Sequence, residues 1–145
     1  MQLFYSSLIN ESNTSFVFDK EESKHIIKVL RKKDGDILFV TNGLGDLFKT
    51  EISLASDSKC TVAILSKEKK EATQYPLHLA VAPTKMNDRY EWFLEKATEI
   101  GIQEITPIIF DRSERKVINK ERCEKIILTA TKQCNQFYLP KRNEA

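Results

Sequence analysis

A change of pattern near residue 70 constrains this chain more than any other feature. Before it, short alternating or β-branched runs are separated by turn residues; after it, two unbroken apolar runs flank a segment with helical spacing. Alternation at period two marks half-buried strands of a small sheet or barrel. An apolar run, a helix and a second apolar run mark a parallel βαβ unit. The chain therefore reads as α/β with a β-barrel, its domains at 1–70 and 71–145, and the polar stretch from Ser66 to Tyr75 (SKEKKEATQY) reads as the crossing between them.

In the first domain, strands are expected over Gln2 to Tyr5, Ser15 to Phe18, Asp36 to Thr41, Leu47 to Leu54 and Cys60 to Leu65. Gly43 and Gly45 supply the positive-φ residues of a hairpin loop between Asn42 and Asp46. One helix starts at Asp19, with Glu22 completing a capping box and Ile26, Val29 and Leu30 as its buried stripe.

In the second domain, strands are expected over Leu77 to Ala82 and Ile105 to Phe110, both apolar enough to need cover on their faces. The helix between them runs from Asp88 to Ile100, with Asn87 as N-cap and Gly101 after its end, turning Tyr90, Phe93, Leu94, Ala97 and Ile100 toward the sheet. A long helix from Lys120 to Phe137 follows, with Ile126, Ile127, Ala130 and Cys134 on one face. Two strands leave both sheet edges open, so more chain or a partner is expected to complete the sheet.

Composition narrows the chemistry. Among 145 residues the formal net charge is only +2, with eleven basic and ten acidic residues up to Lys70, so affinity for nucleic acid has to come from local clustering. One such cluster is the helix carrying Lys24, His25, Lys28 and Arg31, continued by Lys32 and Lys33. Lys24, Lys28 and Arg31 recur at i, i+4 and i+7 and would line one face, suited to tracking a phosphate backbone. A solvated face enriched in lysine near a helix C-terminus is the other reading.

A second cluster places Lys85 and Arg89 after the first apolar strand and Arg112 and Ser113 after the second. In open parallel sheets ligands bind outside the carboxyl ends of strands, which is where both loops fall. The acidic line Glu91, Glu95 and Glu99 reads as solvated or salt-bridged. Three cysteines without a CxxC pair and two histidines remote from them make no metal site, and no apolar run reaches the length of a membrane span, which fits a cytoplasmic protein. All four glycines are already committed to turns or a helix end, so no phosphate-cradling or dinucleotide loop exists.

At these motifs the sequence resembles the RsmE family of SPOUT-class methyltransferases. The barrel motif of that family is similar to His25, Val29, Leu30, Arg31, Gly35 and Asp36. A second signature resembles Lys85, Arg89, Lys96, Ala97, Thr98, Glu99, Ile100 and Gly101, then Pro107, Arg112 and Ser113; Glu121, Arg122, Ala130, Gln133 and Pro140 resemble its closing helix. Gln136 stands where many relatives carry Arg, and Cys134 where they carry Ser.

The resemblance implies a PUA-like RNA-binding barrel followed by the first βαβα part of a SPOUT domain. It implies S-adenosylmethionine-dependent methylation of N3 of a uridine in 16S ribosomal RNA of the small ribosomal subunit, by a homodimer. The glycine-rich knot loops that hold S-adenosylmethionine in the family have no counterpart in these residues, and no general base stands out. A non-enzymatic RNA-binding module is the rival expectation.

Overall fold

The alternating runs of the first seventy residues pair into one curled five-stranded sheet in the order β1-β3-β4-β5-β2. Its strands are β1 (Leu3–Tyr5), β2 (Ser15–Val17), β3 (Ile37–Thr41), β4 (Asp46–Leu54) and β5 (Thr61–Lys69). Pairing is antiparallel except between β1 and β3. The computed structural model describes residues 1–145 as two compact units, Met1–Glu71 and Ala72–Ala145.

The core of the first unit is built from Phe4, Ile9, Phe18, Ile26, Leu38, Val40, Phe48, Ile52 and Val62, with Phe16 packed edge-on against Phe18 at 5.2 Å. The expected hairpin is present: Gly43 and Gly45 have positive φ, and the Asn42 side chain spans the loop, donating to Asp46 Oδ2 at 2.9 Å and accepting from the Leu44 N–H at 2.9 Å.

Strand β5 runs four residues into the stretch expected as a crossing, with Ser66 to Lys69 in register against Lys49 to Asp46. The apolar pattern stops there because β2 pairs only with Thr61 to Ala63, so this end of β5 is an edge where charged side chains face water while the backbone ladder persists. Lys67 of this edge pairs with Glu11.

The helix departs from expectation in a way that matters for the basic cluster. Helix α1 (Lys20–Lys24) is capped by the Asp19 carboxylate, which accepts the Glu22 N–H at 2.8 Å, but the return bond of a capping box is not made and Glu22 Oε1 is buried without a partner. The chain then widens into a π turn over His25–Val29, seen in the Leu30 N–H donating to the His25 carbonyl at 3.0 Å. The wider turn moves the inward stripe: Ile26 is fully buried, Ile27 and Leu30 pack on the core, and Val29, expected inside, is 65% exposed.

In the second unit β6 (His78–Val81) and β7 (Glu104–Pro107) are parallel neighbours joined by α2 (Asn87–Ile100), and α3 (Lys120–Gln133) packs beside α2. A third strand, β8 (Lys141–Arg142), pairs parallel to β7; it lies outside the sequence expectation, since two residues carry no periodic signal. The core joins Tyr90, Leu94 and Ala97 of α2 to Ile105 and to Cys123 and Ile127 of α3.

Several expected boundaries shift. Asn87 is inside α2 and Met86 is its N-cap, with no side-chain bond; Ile100, at 84% exposure, points away from the sheet; Cys134 ends α3 and is exposed. Gly101 takes its expected left-handed conformation at φ 97°. Strand β7 stops at Pro107, leaving Phe110 exposed. The sheet is also not apolar on both faces: Leu79, Val81, Ile105 and Pro107 turn inward, whereas His78, Glu104 and Lys141 stand in register on the other face, with Glu104 3.7 Å from His78 Nδ1 and 3.6 Å from Lys141 Nζ. No helix is long and apolar enough to cross a membrane.

Candidate nucleic-acid interface

The basic cluster of the first unit is presented by the π turn. Its inner side is fixed by burial of Ile26 and by Ser23, whose hydroxyl donates to the Phe18 carbonyl at 3.2 Å and accepts the Cys60 N–H at 2.9 Å. That anchorage leaves Lys24 and Lys28 exposed four residues apart, with His25 half-buried between them.

Arg31 does not continue the same helical face. The helical run ends at Val29, and Arg31 takes a left-handed backbone at φ 55°, exposed in the turn that follows. That turn is tightly held: the Gly35 N–H donates to the Ile52 carbonyl at 2.8 Å, and the Asp36 and Asp34 carboxylates accept the N–H groups of Lys33 at 2.8 Å and Ala55 at 2.7 Å. The cations of the cluster thus stand on a rigid frame of two connected turns rather than along one helix stripe.

Electrostatics distinguishes these cations. Lys28 Nζ lies 2.9 Å from Asp57 Oδ2, and the hydrogen bond and charge of Lys28 hold the Asp57 carboxyl below its ordinary range. Lys24 and Arg31 make no ion pair with the protein. An exposed surface pair such as Lys28 with Asp57 is weak and is readily exchanged for a phosphate. Deeper in, burial pushes the Cys60 thiol up to about 11, with the Asp34 charge adding to it.

In the second unit, β6 and β7 run parallel, so the loops that follow them leave the sheet at the same edge. Lys85 lies in the first loop, Arg89 in the first turn of α2 and Arg112 in the second loop, all exposed and without an ion pair. Ser113 is committed to its own turn, where its Oγ accepts the Phe110 N–H at 2.8 Å and its N–H donates to the Phe110 carbonyl at 2.9 Å. The acidic line is salt-bridged: Glu91 pairs with both Nε and Nη2 of Arg122, and Lys96 Nζ lies 3.1 Å from Glu99 and 3.6 Å from Glu95.

Two polar side chains near the ends of the second unit's elements find structural employment. Gln136 donates through Nε2 to the Glu99 carbonyl at 3.0 Å, closing the end of α2 beside Gly101. Arg142, which no sequence motif marks, is half-buried and brings its guanidinium to Cys123 and near Tyr90, with Nη1 shielded and unpartnered.

The glycines do not form a cradle for a nucleotide-like cofactor. Gly35 sits in the turn before β3, Gly43 and Gly45 in the hairpin, and Gly101 ends α2, so none follows a strand of the parallel sheet where backbone amides could approach a ligand. These residues do not fit S-adenosylmethionine on their own.

Comparison with known proteins places this geometry. A family model described as "RNA methyltransferase domain" matches residues 70–145, and one described as "RNA methyltransferase PUA domain" matches residues 18–65. A ribosomal RNA small subunit methyltransferase E from Buchnera aphidicola is 33% identical over 134 residues, covering 87% of this chain and 53% of that protein. The protein of the same name from Bacillus subtilis is 29% identical, covering 97% of this chain and 59% of that one.

Among solved structures, a probable rRNA-methyltransferase from Porphyromonas gingivalis superposes with a TM-score of 0.85 at 34% identity, covering 99% of this chain and 60% of that one. A methyltransferase from Legionella pneumophila, solved with the bound cofactor SAM, superposes at 0.82 with 27% identity, covering 98% and 61%. The chain spans a little over half the length of the curated relatives it matches.

Proposed function

Since the chain belongs to the RsmE family of RNA methyltransferases, we propose that it supplies the RNA grip and the opening part of the catalytic domain of an enzyme that methylates N3 of a uridine in 16S ribosomal RNA. In this reading residues 1–70 form the RNA-binding barrel, and residues 71–145 begin a SPOUT domain that dimerises and acts in the cytoplasm on the small ribosomal subunit.

One observation carries the reading: the barrel and the βαβ unit follow each other in the order of the two matching family models, and the barrel presents a framed cluster of exposed cations. Lys24, His25, Lys28 and Arg31 are assigned to RNA phosphates, and Lys85, Arg89 and Arg112 to a second contact at the sheet edge, where Ser113 holds the loop. A handful of framed cations is enough for salt-dependent grip, because each phosphate contact releases bound counterions.

Methylation at N3 requires that the uracil proton be removed and the nucleophile be aligned with the methyl donor. The donor would be S-adenosylmethionine. Since residues 1–145 do not fit it, their contribution is to bind and orient RNA, and this chain alone neither binds the cofactor nor transfers a methyl group.

The same lack of a cofactor cradle favours, as a second reading, a non-enzymatic RNA-binding module. A competition assay tests the first. Methylation of unmethylated small subunits by the Bacillus subtilis relative should slow in proportion to added chain, and a chain with Lys24, Lys28 and Arg31 all changed to Glu should not slow it. Absence of competition at concentrations where the chain binds RNA would leave only the module reading. Stoichiometric binding of S-adenosylmethionine to the chain, measured by calorimetry, would overturn the division of labour.

A further inference from the structure

We propose that a closed circuit of side chains centred on Glu104, on the outer face of the second unit's sheet, is the latch that docks strand β8 and sets its register. The proposal is independent of the RNA reading, since it concerns how one strand of the sheet is held and what releases it.

Strand β8 is poorly equipped to hold itself. It is two residues long, and the Lys141 and Asn143 N–H groups donate to the Gln103 and Ile105 carbonyls, both at 2.9 Å. Its side chains carry no apolar pattern either, because Lys141 is exposed and Arg142 half-buried. A strand specified neither by length nor by an apolar face is prone to slip unless polar contacts fix it.

Asn143 commits both Nδ2 hydrogens to that task, donating to Glu104 Oε1 at 2.6 Å and to Thr106 Oγ1 at 2.8 Å. Thr106 Oγ1 in turn lies 2.6 Å from His78 Nε2, and the other ring nitrogen, Nδ1, lies 3.7 Å from Glu104 Oε2. The circuit therefore returns to Glu104 after touching β6, β7 and the end of β8. Lys141 Nζ adds a charge 3.6 Å from Glu104 Oε1. The Asn143 hydrogen bond, with the charges of His78 and Lys141, holds the Glu104 carboxyl below its ordinary range.

The same contacts select one register. Lys141 and Asn143 face outward together, while Arg142 between them carries its guanidinium to Cys123. A slip of one residue would set Arg142 and Glu144 on the outer face, bringing a second carboxylate toward Glu104 and turning Lys141 and Asn143 inward. The circuit closes in the observed register and not in the slipped one.

Amide hydrogen exchange of the whole chain, read by NMR, tests the latch. Protection of the Lys141 and Asn143 amides is compared with that of Ile108, whose N–H donates to the Val81 carbonyl at 3.1 Å and reports on the β6 side of the sheet. Glu104→Ala and Asn143→Ala should each lower protection of the two β8 amides by roughly fivefold or more, the loss that one intramolecular hydrogen bond implies, with Ile108 unchanged. Lys141→Ala, which removes only an exposed charge, should change it less than about twofold.

The latch also has a pH signature. Because the folded carboxyl titrates below its ordinary 4.5, docking of β8 is fully present above that value and is lost as the pH falls through the folded value. Glu104→Gln, which keeps an acceptor for Asn143 and cannot titrate, should abolish this selective acid loosening of β8. Protection at Lys141 and Asn143 that is the same in wild type, Glu104→Ala and Asn143→Ala would overturn the proposal. So would a loss that Ile108 shares equally, since that would make Glu104 a support of the whole sheet rather than of β8.

Discussion

Ser23 Oγ accepts the Cys60 N–H at 2.9 Å across 37 residues of sequence, tying the end of α1 to the start of β5. Because the same hydroxyl donates to the Phe18 carbonyl at 3.2 Å, one fully buried side chain ties α1 both to the residue before its cap and to the residue before β5. The π turn follows directly from this anchor, so the position of Lys24 and Lys28 depends on it.

Ser23→Ala should therefore destabilise the first unit by about 2 kcal/mol, the cost of leaving a buried N–H without an acceptor. Urea unfolding followed by far-ultraviolet circular dichroism measures it. A change smaller than about 0.5 kcal/mol would mean that the tie contributes little.

Cys60 makes a pH prediction with a definite sign. Burial holds its thiol protonated up to about 11 against an ordinary value of 9.0. The stabilisation is fully present below the unfolded value and is lost as the pH rises toward the folded one, because the unfolded chain ionises first. Unfolding free energy should fall between about pH 9 and pH 11, and Cys60→Ala should flatten that part of the curve. At neutral pH the exposed Cys134 should react with a thiol reagent well before the buried Cys60 and Cys123. Equal labelling rates for the three would contradict the burial.

The Glu91 and Arg122 pair joins α2 to α3 on a partly exposed face. A double-mutant cycle of Glu91→Gln and Arg122→Gln should give a coupling between about 0.3 and 1 kcal/mol that shrinks in high salt. Coupling that persists unchanged at about 1 M salt would point to packing rather than charge.

How much of this is legible in the sequence depends on whether local pattern or distant contact decides a position. The Asp19 cap, the Gly43 and Gly45 hairpin and the Gly101 helix end follow from residues acting on near neighbours, and the parallel pairing of β6 and β7 from the apolar strand, helix, apolar strand order. The π turn does not, since Ile26, Ile27 and Val29 are all apolar and local pattern does not say which of them turns inward; in the structure Ile26 is buried and Val29 exposed. Strand β8 and the outer end of β5 escape a sequence reading because their pairing comes from β7 and β4 rather than from their own side chains. Of the candidate site, exposed cations can be read from charge spacing, but Arg31 leaving the helix and the Arg142 guanidinium folding in against Cys123 cannot.

The central claim is that the framed cations of the first unit grip RNA phosphates, and salt dependence of RNA binding tests it most directly. Binding of the chain to ribosomal RNA should weaken linearly in log–log form with added salt, and replacing Lys24, Lys28 and Arg31 with Glu should reduce the slope by about 0.7 to 0.9 for each phosphate that is no longer neutralised. With folding checked by circular dichroism, a slope shallower by about two units supports the account, and an unchanged slope contradicts it.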